Sequence, residues 1–246
     1  MPNKHVEYKR IVDGARVAVL LVHGILSTPN HFRELIPLIP DNYSVYAMVT
    51  DGHCSTVRDF SRSSMKRWES SVERAVQELL KTHEEVYMVG HSMGTLMSID
   101  QAIKNPRVSR LFCIAVPIKV RFRLRMIGMS MRVYFNKIDH ANEKLVGLKE
   151  SYGIEHSEPM YRYLGWIPRF FDLFAMIGRT RKNLGMLKTP CVAFQSELDE
   201  LVCPKSYDIL KTESGMRVEM LRSSTHFYYA EEEMNFLKEE FLNFLA

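Results

Sequence analysis

The pentapeptide Gly90-His91-Ser92-Met93-Gly94 has the clearest potential for chemistry in this sequence. It follows a short apolar run at residues 86–89 and precedes apolar residues at helical spacing. A serine on a sharp turn from strand to helix keeps its hydroxyl exposed, and flanking glycines let the strand and the helix approach closely. We therefore predict that Ser92 is a nucleophile, the alternative being an ordinary N-cap residue of a helix.

A serine hydroxyl is a weak nucleophile, so it needs a base, and the base needs an orienting acid. Asp199 and His226 each come just after a short apolar run, at residues 192–194 and 218–221. In open α/β sheets, active sites lie at the carboxyl ends of strands. One known order of the triad residues along the chain is a serine, then an acid, then a histidine. We predict a triad of Ser92, Asp199 and His226. The alternatives for the acid are Glu197, Glu200 and Asp208.

A third loop, His23-Gly24-Ile25, follows another apolar run and completes the predicted site. Ester cleavage creates a negative oxygen in the tetrahedral intermediate, and fixed backbone N–H groups must stabilise it. We assign this role to the backbone N–H groups of Ile25 and Met93. The predicted chemistry requires no metal and no organic cofactor.

The other histidines and the cysteines receive structural interpretations. We interpret His23 and His91 as residues whose rings bond neighbouring loops, and His31 and His53 as surface or loop residues. The cysteines are widely separated and lack paired metal-ligand spacing, so we expect reduced thiols rather than a disulfide or a metal site. They are Cys54, Cys113, Cys191 and Cys203.

The elements that must position these residues are visible as apolar patterns. Short apolar runs predict buried strands at 17–22, 45–49, 86–89, 111–116, 192–194 and 218–221. Helical spacing follows Thr28-Pro29, recurs from Trp68 to Leu80, and returns after the acidic run 231–233. Strands that alternate with helices predict an α/β fold, with a mostly parallel central sheet covered by helices on both faces.

The alternation breaks at Pro117 and resumes near residue 189. We therefore predict a core made of residues 1–116 and 189–246, with residues 117–188 as an inserted cap. The insertion is basic, with 14 Lys and Arg against 6 Asp and Glu, and it is rich in methionine and aromatic residues. Arg121, Arg125 and Arg132 are interpreted as a solvated helix face, or as a guide for an anionic substrate or an acidic lipid surface. The apolar stripe beside them comprises Leu124, Ile127, Met131, Tyr134 and Ile138.

Length and composition limit the class of protein. The chain has 246 residues, of which 46% are apolar, and a net charge of +4, which fits one globular domain with an insertion. The first ten residues lack a secretory signal, and no apolar run approaches the roughly 20 residues that span a bilayer. We expect a cytoplasmic protein. Nucleic-acid binding is not expected, because no recognition motif accompanies the mild charge.

With these motifs in place, the sequence resembles the α/β-hydrolase superfamily, in particular bacterial carboxylesterases and monoacylglycerol lipase-like enzymes. The resemblance rests on His23-Gly24, Asp51-Gly52-His53, the pentapeptide around Ser92, Asp199 and His226, and it implies a cap at 117–188. Thr95, where relatives often have a further glycine, and Cys54, in a loop without the usual proline, depart from the pattern.

The expected function is that of a serine hydrolase cleaving carboxylic esters, either short- to medium-chain acyl esters or monoacylglycerol-like lipids. The alternatives on the same fold are a thioesterase, a carbon-carbon bond hydrolase, an acyltransferase, or a silent ligand-binding homologue. The expected partner is a small ester, with weak association with acidic lipid surfaces through the basic insertion as a further possibility. The oligomeric state and the physiological substrate are not predicted.

Overall fold

The protein is built from alternating strands and helices, which the computed structural model describes for residues 6–121, 132, 139–155 and 158–246. The strands are β1 (Tyr8–Arg10), β2 (Val17–Val22), β3 (Ser44–Met48), β4 (Ser55–Thr56), β5 (Glu85–His91), β6 (Val108–Ile114), β7 (Ile154–Glu155), β8 (Cys191–Ser196) and β9 (Arg217–Leu221). The α-helices are α1 (Val57–Arg62), α2 (Met65–Leu79), α3 (Met93–Lys104), α4 (Glu143–Ser151), α5 (Ile167–Asn183), α6 (Ser206–Glu213) and α7 (Glu231–Leu245).

A seven-stranded sheet with the order β1-β3-β2-β5-β6-β8-β9 forms the centre of the fold. Every neighbouring pair is parallel except β1 with β3, which is antiparallel. The predicted α/β architecture and its mostly parallel sheet are confirmed. Because the parallel strands share one direction, the loops after β2, β5, β6, β8 and β9 emerge at one edge of the sheet.

Strand β2 shows how the two faces of the sheet are covered. All six of its residues are buried, and alternate side chains belong to two different hydrophobic clusters. One cluster contains Leu20 with the apolar faces of α2 and α3, and the other contains Leu21 with Phe241 and Phe244 of α7. A strand buried on both faces needs a continuous apolar run, which explains the sequence pattern at 17–22.

The segment after Thr28 differs from the predicted helix. It forms two short 3-10 helices, Pro29–Phe32 and Ile36–Leu38, rather than one α-helix. Thr28 acts as the N-cap, and its side chain accepts a hydrogen bond from the N–H of Asn30. Pro37 has no N–H to donate and its ring clashes with the preceding turn, which disfavours a continuous α-helix through this position.

Residues 115–190 connect the neighbouring strands β6 and β8, and only part of this connection lies within the described residues. Strand β7 pairs with β4 in a separate two-stranded sheet. Helix α5 packs on the core through Leu173, Met176 and Ile177, which share a cluster with α2 and α3. The predicted apolar stripe of the insertion lies outside the described residues. Within the described ranges, no helix has both the length and the apolarity needed to cross a bilayer.

All four cysteines are free thiols. Cys113 in β6 and Cys191 in β8 lie on adjacent strands with their Sγ atoms 3.8 Å apart. This separation is well beyond the roughly 2.05 Å of a disulfide bond. Cys113 is a buried residue of the core, whereas Cys191 as a whole residue is partly exposed.

Candidate active site

Ser92 occupies a strained turn between β5 and α3. Its backbone has φ 50° and ψ −120°, a conformation that residues other than glycine rarely adopt. The turn is held by the N–H of Ser92, which donates to the carbonyl of Ile114 at 2.9 Å. The N–H and hydroxyl of Thr95 both donate to the carbonyl of Ser92. The predicted strand, serine turn and helix are therefore all present.

The glycines around Ser92 are required by close approach of the backbone. A Cβ atom on Gly94 would lie 1.9 Å from the carbonyl oxygen of Val22, and one on Gly90 would lie 2.7 Å from Thr95 backbone atoms. Both distances are far below any normal contact. The start of α3 therefore packs directly against the end of β2, with no room for a side chain.

Asp199 and His226 form a buried hydrogen-bonded pair. Asp199 Oδ2 lies 2.7 Å from His226 Nδ1, and both side chains are buried. The other carboxylate oxygen, Oδ1, accepts hydrogen bonds from the N–H groups of Leu201 and Val202, each at 2.7 Å. Three donors thus fix the orientation of the Asp199 carboxylate. The carboxylate lies in the loop after β8 and faces the loop after β9, which carries His226.

His91 connects this pair to the serine turn. Its Nε2 atom lies 3.1 Å from the carbonyl oxygen of His226, and the two rings are 4.8 Å apart. Among the described residues, no direct hydrogen bond joins Ser92 Oγ to the ring of His226. Such bonds are often long in enzymes without substrate and shorten when the substrate binds. The structure therefore pairs Asp199 with His226 directly and places His226 against the residue that precedes Ser92.

The two predicted oxyanion donors flank the serine. Met93 supplies the first N–H of α3, and Ile25 follows Gly24, at which a Cβ atom would lie 3.0 Å from Ser92 Cβ. In the described part of the chain, neither the N–H of Ile25 nor that of Met93 donates to a protein acceptor. Neither amide is therefore already committed to a protein acceptor.

The remaining histidines at this edge form a packed group. His23 Nε2 accepts a hydrogen bond from the N–H of Thr50 at 3.2 Å, which agrees with its predicted role in bonding a neighbouring loop. His31 stacks on His91 with ring centroids 3.6 Å apart. His53 lies in a loop, as predicted, but is buried, with its ring edge-on to Trp68. Among the described residues, no group of three or more His, Cys, Asp or Glu side chains is arranged to hold a metal ion.

Burial keeps several of these histidines neutral. Burial lowers the pKa of His23 to about 4, and it lowers the pKa values of His53 and His91 well below their ordinary range. A nearby His23 lowers the pKa of His53 further, as His31 does for His91, because like charges repel. Uncharged rings therefore surround the serine turn.

We predict that the protein loses stability in mild acid. The folded pKa of His23 lies below its unfolded value of about 6.5, so the unfolded chain binds more protons between about pH 6.5 and about pH 4. The free energy of unfolding therefore has its highest value above about pH 6.5 and falls as the pH drops toward about 4. His23 alone accounts for a loss of about 3 kcal/mol. Urea unfolding across this range measures the loss. As a control, His140→Asn, which changes an exposed histidine, should show the same dependence of the free energy of unfolding on pH as the wild type. A free energy of unfolding that does not change with pH over this range contradicts the prediction.

A residue that the sequence analysis missed holds the histidine loop. Glu233, in the first turn of α7, accepts hydrogen bonds from the N–H groups of Arg222 and Ser223 and from the hydroxyl of Ser224. Glu233 thus fixes residues 222–224, which lead to His226, against the start of α7. The sequence showed it only as one of three acidic residues suited to a helix N-terminus.

The parallel sheet and the strained serine turn after its central strand define an α/β-hydrolase. A family model described as Hydrolase_4, serine aminopeptidase, S33, matches residues 13–228, and the chain belongs to this family.

Relatives of known sequence and structure agree with this assignment. The chain is 24% identical over 242 residues to a thermostable monoacylglycerol lipase from Bacillus sp. (strain H-257), covering 95% of this chain and 92% of the relative. A solved structure of the metagenome-derived lipolytic enzymes LipS and LipT matches with a TM-score of 0.72 and 20% identity, covering 99% and 98%. The Paleococcus ferrophilus monoacylglycerol lipase matches with a TM-score of 0.67 and 16% identity, covering 97% and 98%. At these identities the structural matches show the fold alone.

Proposed function

We propose that this protein is a serine hydrolase that cleaves carboxylic esters through an acyl-enzyme on Ser92. The observation that carries the proposal is the buried 2.7 Å contact between Asp199 and His226 beside the strained turn of Ser92. A carboxylate that orients an imidazole close to a serine hydroxyl is the arrangement that activates the serine.

The proton position on His226 follows from its partner. An ionised carboxylate only accepts hydrogen bonds, so the 2.7 Å contact with Asp199 Oδ2 assigns the ring proton to Nδ1 of His226. The Nε2 atom then carries a lone pair. This is the tautomer that can remove a proton from a serine hydroxyl.

The proposed reaction proceeds in two halves. Ser92 Oγ attacks the ester carbonyl while His226 Nε2 takes the hydroxyl proton, and the N–H groups of Ile25 and Met93 stabilise the negative oxygen. His226 then gives its proton to the leaving alcohol, and the acyl-enzyme remains. A water molecule, deprotonated by the same histidine, attacks the acyl group and releases the carboxylic acid, which restores the serine. Asp199 stabilises the imidazolium in both halves.

The proposed substrates are short- to medium-chain acyl esters or monoacylglycerol-like lipids. Support comes from the monoacylglycerol lipase relative, which the chain matches over most of its length. We propose that the predicted cap, residues 117–188, contributes the wall of the acyl site. Arg125, interpreted from the sequence as part of a solvated helix face or as a guide for an anionic substrate or an acidic lipid surface, lies outside the described residues. The cytoplasmic location likewise stays a prediction.

The decisive experiment is labelling with a fluorophosphonate, which reacts with activated serines. We expect one adduct, mapped by mass spectrometry to the peptide that contains Ser92, and none in the Ser92→Ala variant. Labelling should also be lost in His226→Ala, because the hydroxyl then has no base. A folded wild-type protein without an adduct would instead be a silent ligand-binding homologue, and the hydrolase proposal would be wrong.

Acyl-chain length tests the substrate class. Each methylene buried in an apolar site contributes about 0.8 kcal/mol, or roughly fourfold in kcat/KM. We expect kcat/KM to rise from acetyl through butyryl to octanoyl esters of the same alcohol. A strict preference for acetyl contradicts a lipid-sized site. The matching thioesters and amides, assayed in parallel, distinguish a thioesterase or a peptidase from an esterase.

A further inference from the structure

Arg121 lies in the connection that follows β6, and its side chain is turned toward the loop that carries Asp199. Its Nε atom donates to the carbonyl oxygen of Asp199 at 3.0 Å, and Nη2 donates to the same oxygen and to the carbonyl of Glu197 at 3.3 Å. The sequence pattern places Arg121 on a solvated helix face or makes it a guide for an anionic substrate or an acidic lipid surface. Its guanidinium instead forms hydrogen bonds with backbone carbonyls.

The backbone around Arg121 is joined to the same loop. The N–H of Arg121 donates to the carbonyl of Leu201, and the N–H of Cys203 donates to the carbonyl of Lys119, both at 2.8 Å. Val120 and Val202 form an antiparallel bridge between these two bonds. The segment 119–121 therefore acts as a short extra strand along residues 201–203.

This arrangement holds Asp199 at both ends. Arg121 binds its backbone carbonyl, while its carboxylate is bound by His226 and by the N–H groups of Leu201 and Val202. Leu201 is the residue whose carbonyl accepts from the N–H of Arg121. A change in the guanidinium contacts therefore alters the peptide planes that aim the carboxylate at the histidine.

We propose that Arg121 is a positioning residue for the acid of the triad, acting through the loop backbone and not by contact with substrate or lipid. This inference rests on the proposed function. A guanidinium suits the task because its planar fork offers several fixed donors, and an ammonium group cannot reproduce that geometry.

The test compares Arg121→Gln and Arg121→Lys with the matched control Arg222→Gln. Arg222 is an exposed arginine in the neighbouring loop, with its side chain 3.6 Å from Glu197. We expect kcat for ester hydrolysis to fall about 10- to 100-fold in Arg121→Gln, as a small misplacement of a reacting group does, with KM nearly unchanged. Arg121→Lys should recover part of kcat, and Arg222→Gln should match the wild type.

A second readout follows the Asp199–His226 pair itself. The proton on His226 Nδ1, in a short buried hydrogen bond, should give a low-field proton NMR resonance, assigned by its loss in His226→Gln. We expect this resonance to weaken or move in Arg121→Gln and to persist in Arg222→Gln. It requires no turnover, so it tests the role of Arg121 separately from ester hydrolysis, and a wild type without esterase activity overturns only the proposed function.

Two results overturn the inference. One is an Arg121→Gln variant with the kcat and the His226 resonance of the control. The other is an Arg121→Gln variant with unchanged kcat and weaker binding to acidic phospholipid vesicles, which returns Arg121 to a lipid-guiding role. If Arg121→Gln does not fold, Arg121→Lys decides by the same two readouts.

Discussion

Replacing Asp199 with asparagine should lower kcat by about 10,000-fold while leaving the fold intact. The structure dictates which way the new amide must face. Oδ1 of Asp199 accepts from the N–H groups of Leu201 and Val202, so the asparagine oxygen must occupy that position. Its NH₂ group then points at Nδ1 of His226 and donates to it. The ring proton is forced to Nε2, and His226 loses the lone pair that removes the serine proton in the proposed mechanism.

Steady-state ester hydrolysis and urea unfolding, measured together on Asp199→Asn, check this prediction. Asp208→Asn is the control, because Asp208 is another acid considered from the sequence and lies exposed in the first turn of α6. An Asp208→Asn variant with an equal loss, or an Asp199→Asn variant with near-normal kcat, means that the acid has been assigned incorrectly.

Replacing Gly94 with alanine should destabilise the protein by at least about 3 kcal/mol. The added Cβ would lie 1.9 Å from the Val22 carbonyl oxygen and 2.8 Å from that of His23. These atoms belong to the end of a central strand and the loop after it, so they cannot move aside as a flexible side chain can. Helix α3 must shift, and the turn of Ser92 shifts with it.

Gly178→Ala is the matched control for Gly94→Ala. Gly178 lies inside helix α5, and a Cβ there meets no atom within 4 Å. Alanine favours the helix over glycine, so this variant should gain about 0.5 to 1 kcal/mol. Urea unfolding gives both values. A Gly94→Ala variant as stable as Gly178→Ala would show that the close approach of α3 to β2 is absent.

The elements predicted best are those whose burial determines the residue types within the element itself. Strands β2, β5 and β6 are buried on both faces, and that environment requires unbroken apolar runs. Strand β1 was missed because it is an antiparallel edge strand whose residues, Tyr8–Arg10, are polar or exposed. The two-residue strands β4 and β7 are too short to show any periodicity.

The candidate site residues could be predicted from their positions in the sequence. The residues that hold the surrounding loops in place could not. Ser92, Asp199 and His226 each come just after a strand, so residue type and place in the chain were enough to select them. The contacts of Arg121 are with backbone carbonyls of residues 76 to 80 positions away, and carbonyls have no sequence signature. The burial of His53 likewise depends on aromatic side chains from separate helices.

The backbone of Ser92 lies in a region where only glycine is relaxed, which costs about 1 to 3 kcal/mol in folding. Glycine at this position would remove that cost and the hydroxyl together. A laboratory evolution experiment that rewards heat resistance alone would therefore enrich the glycine variant and eliminate the proposed nucleophile early. Only selection that also demands turnover would retain serine there.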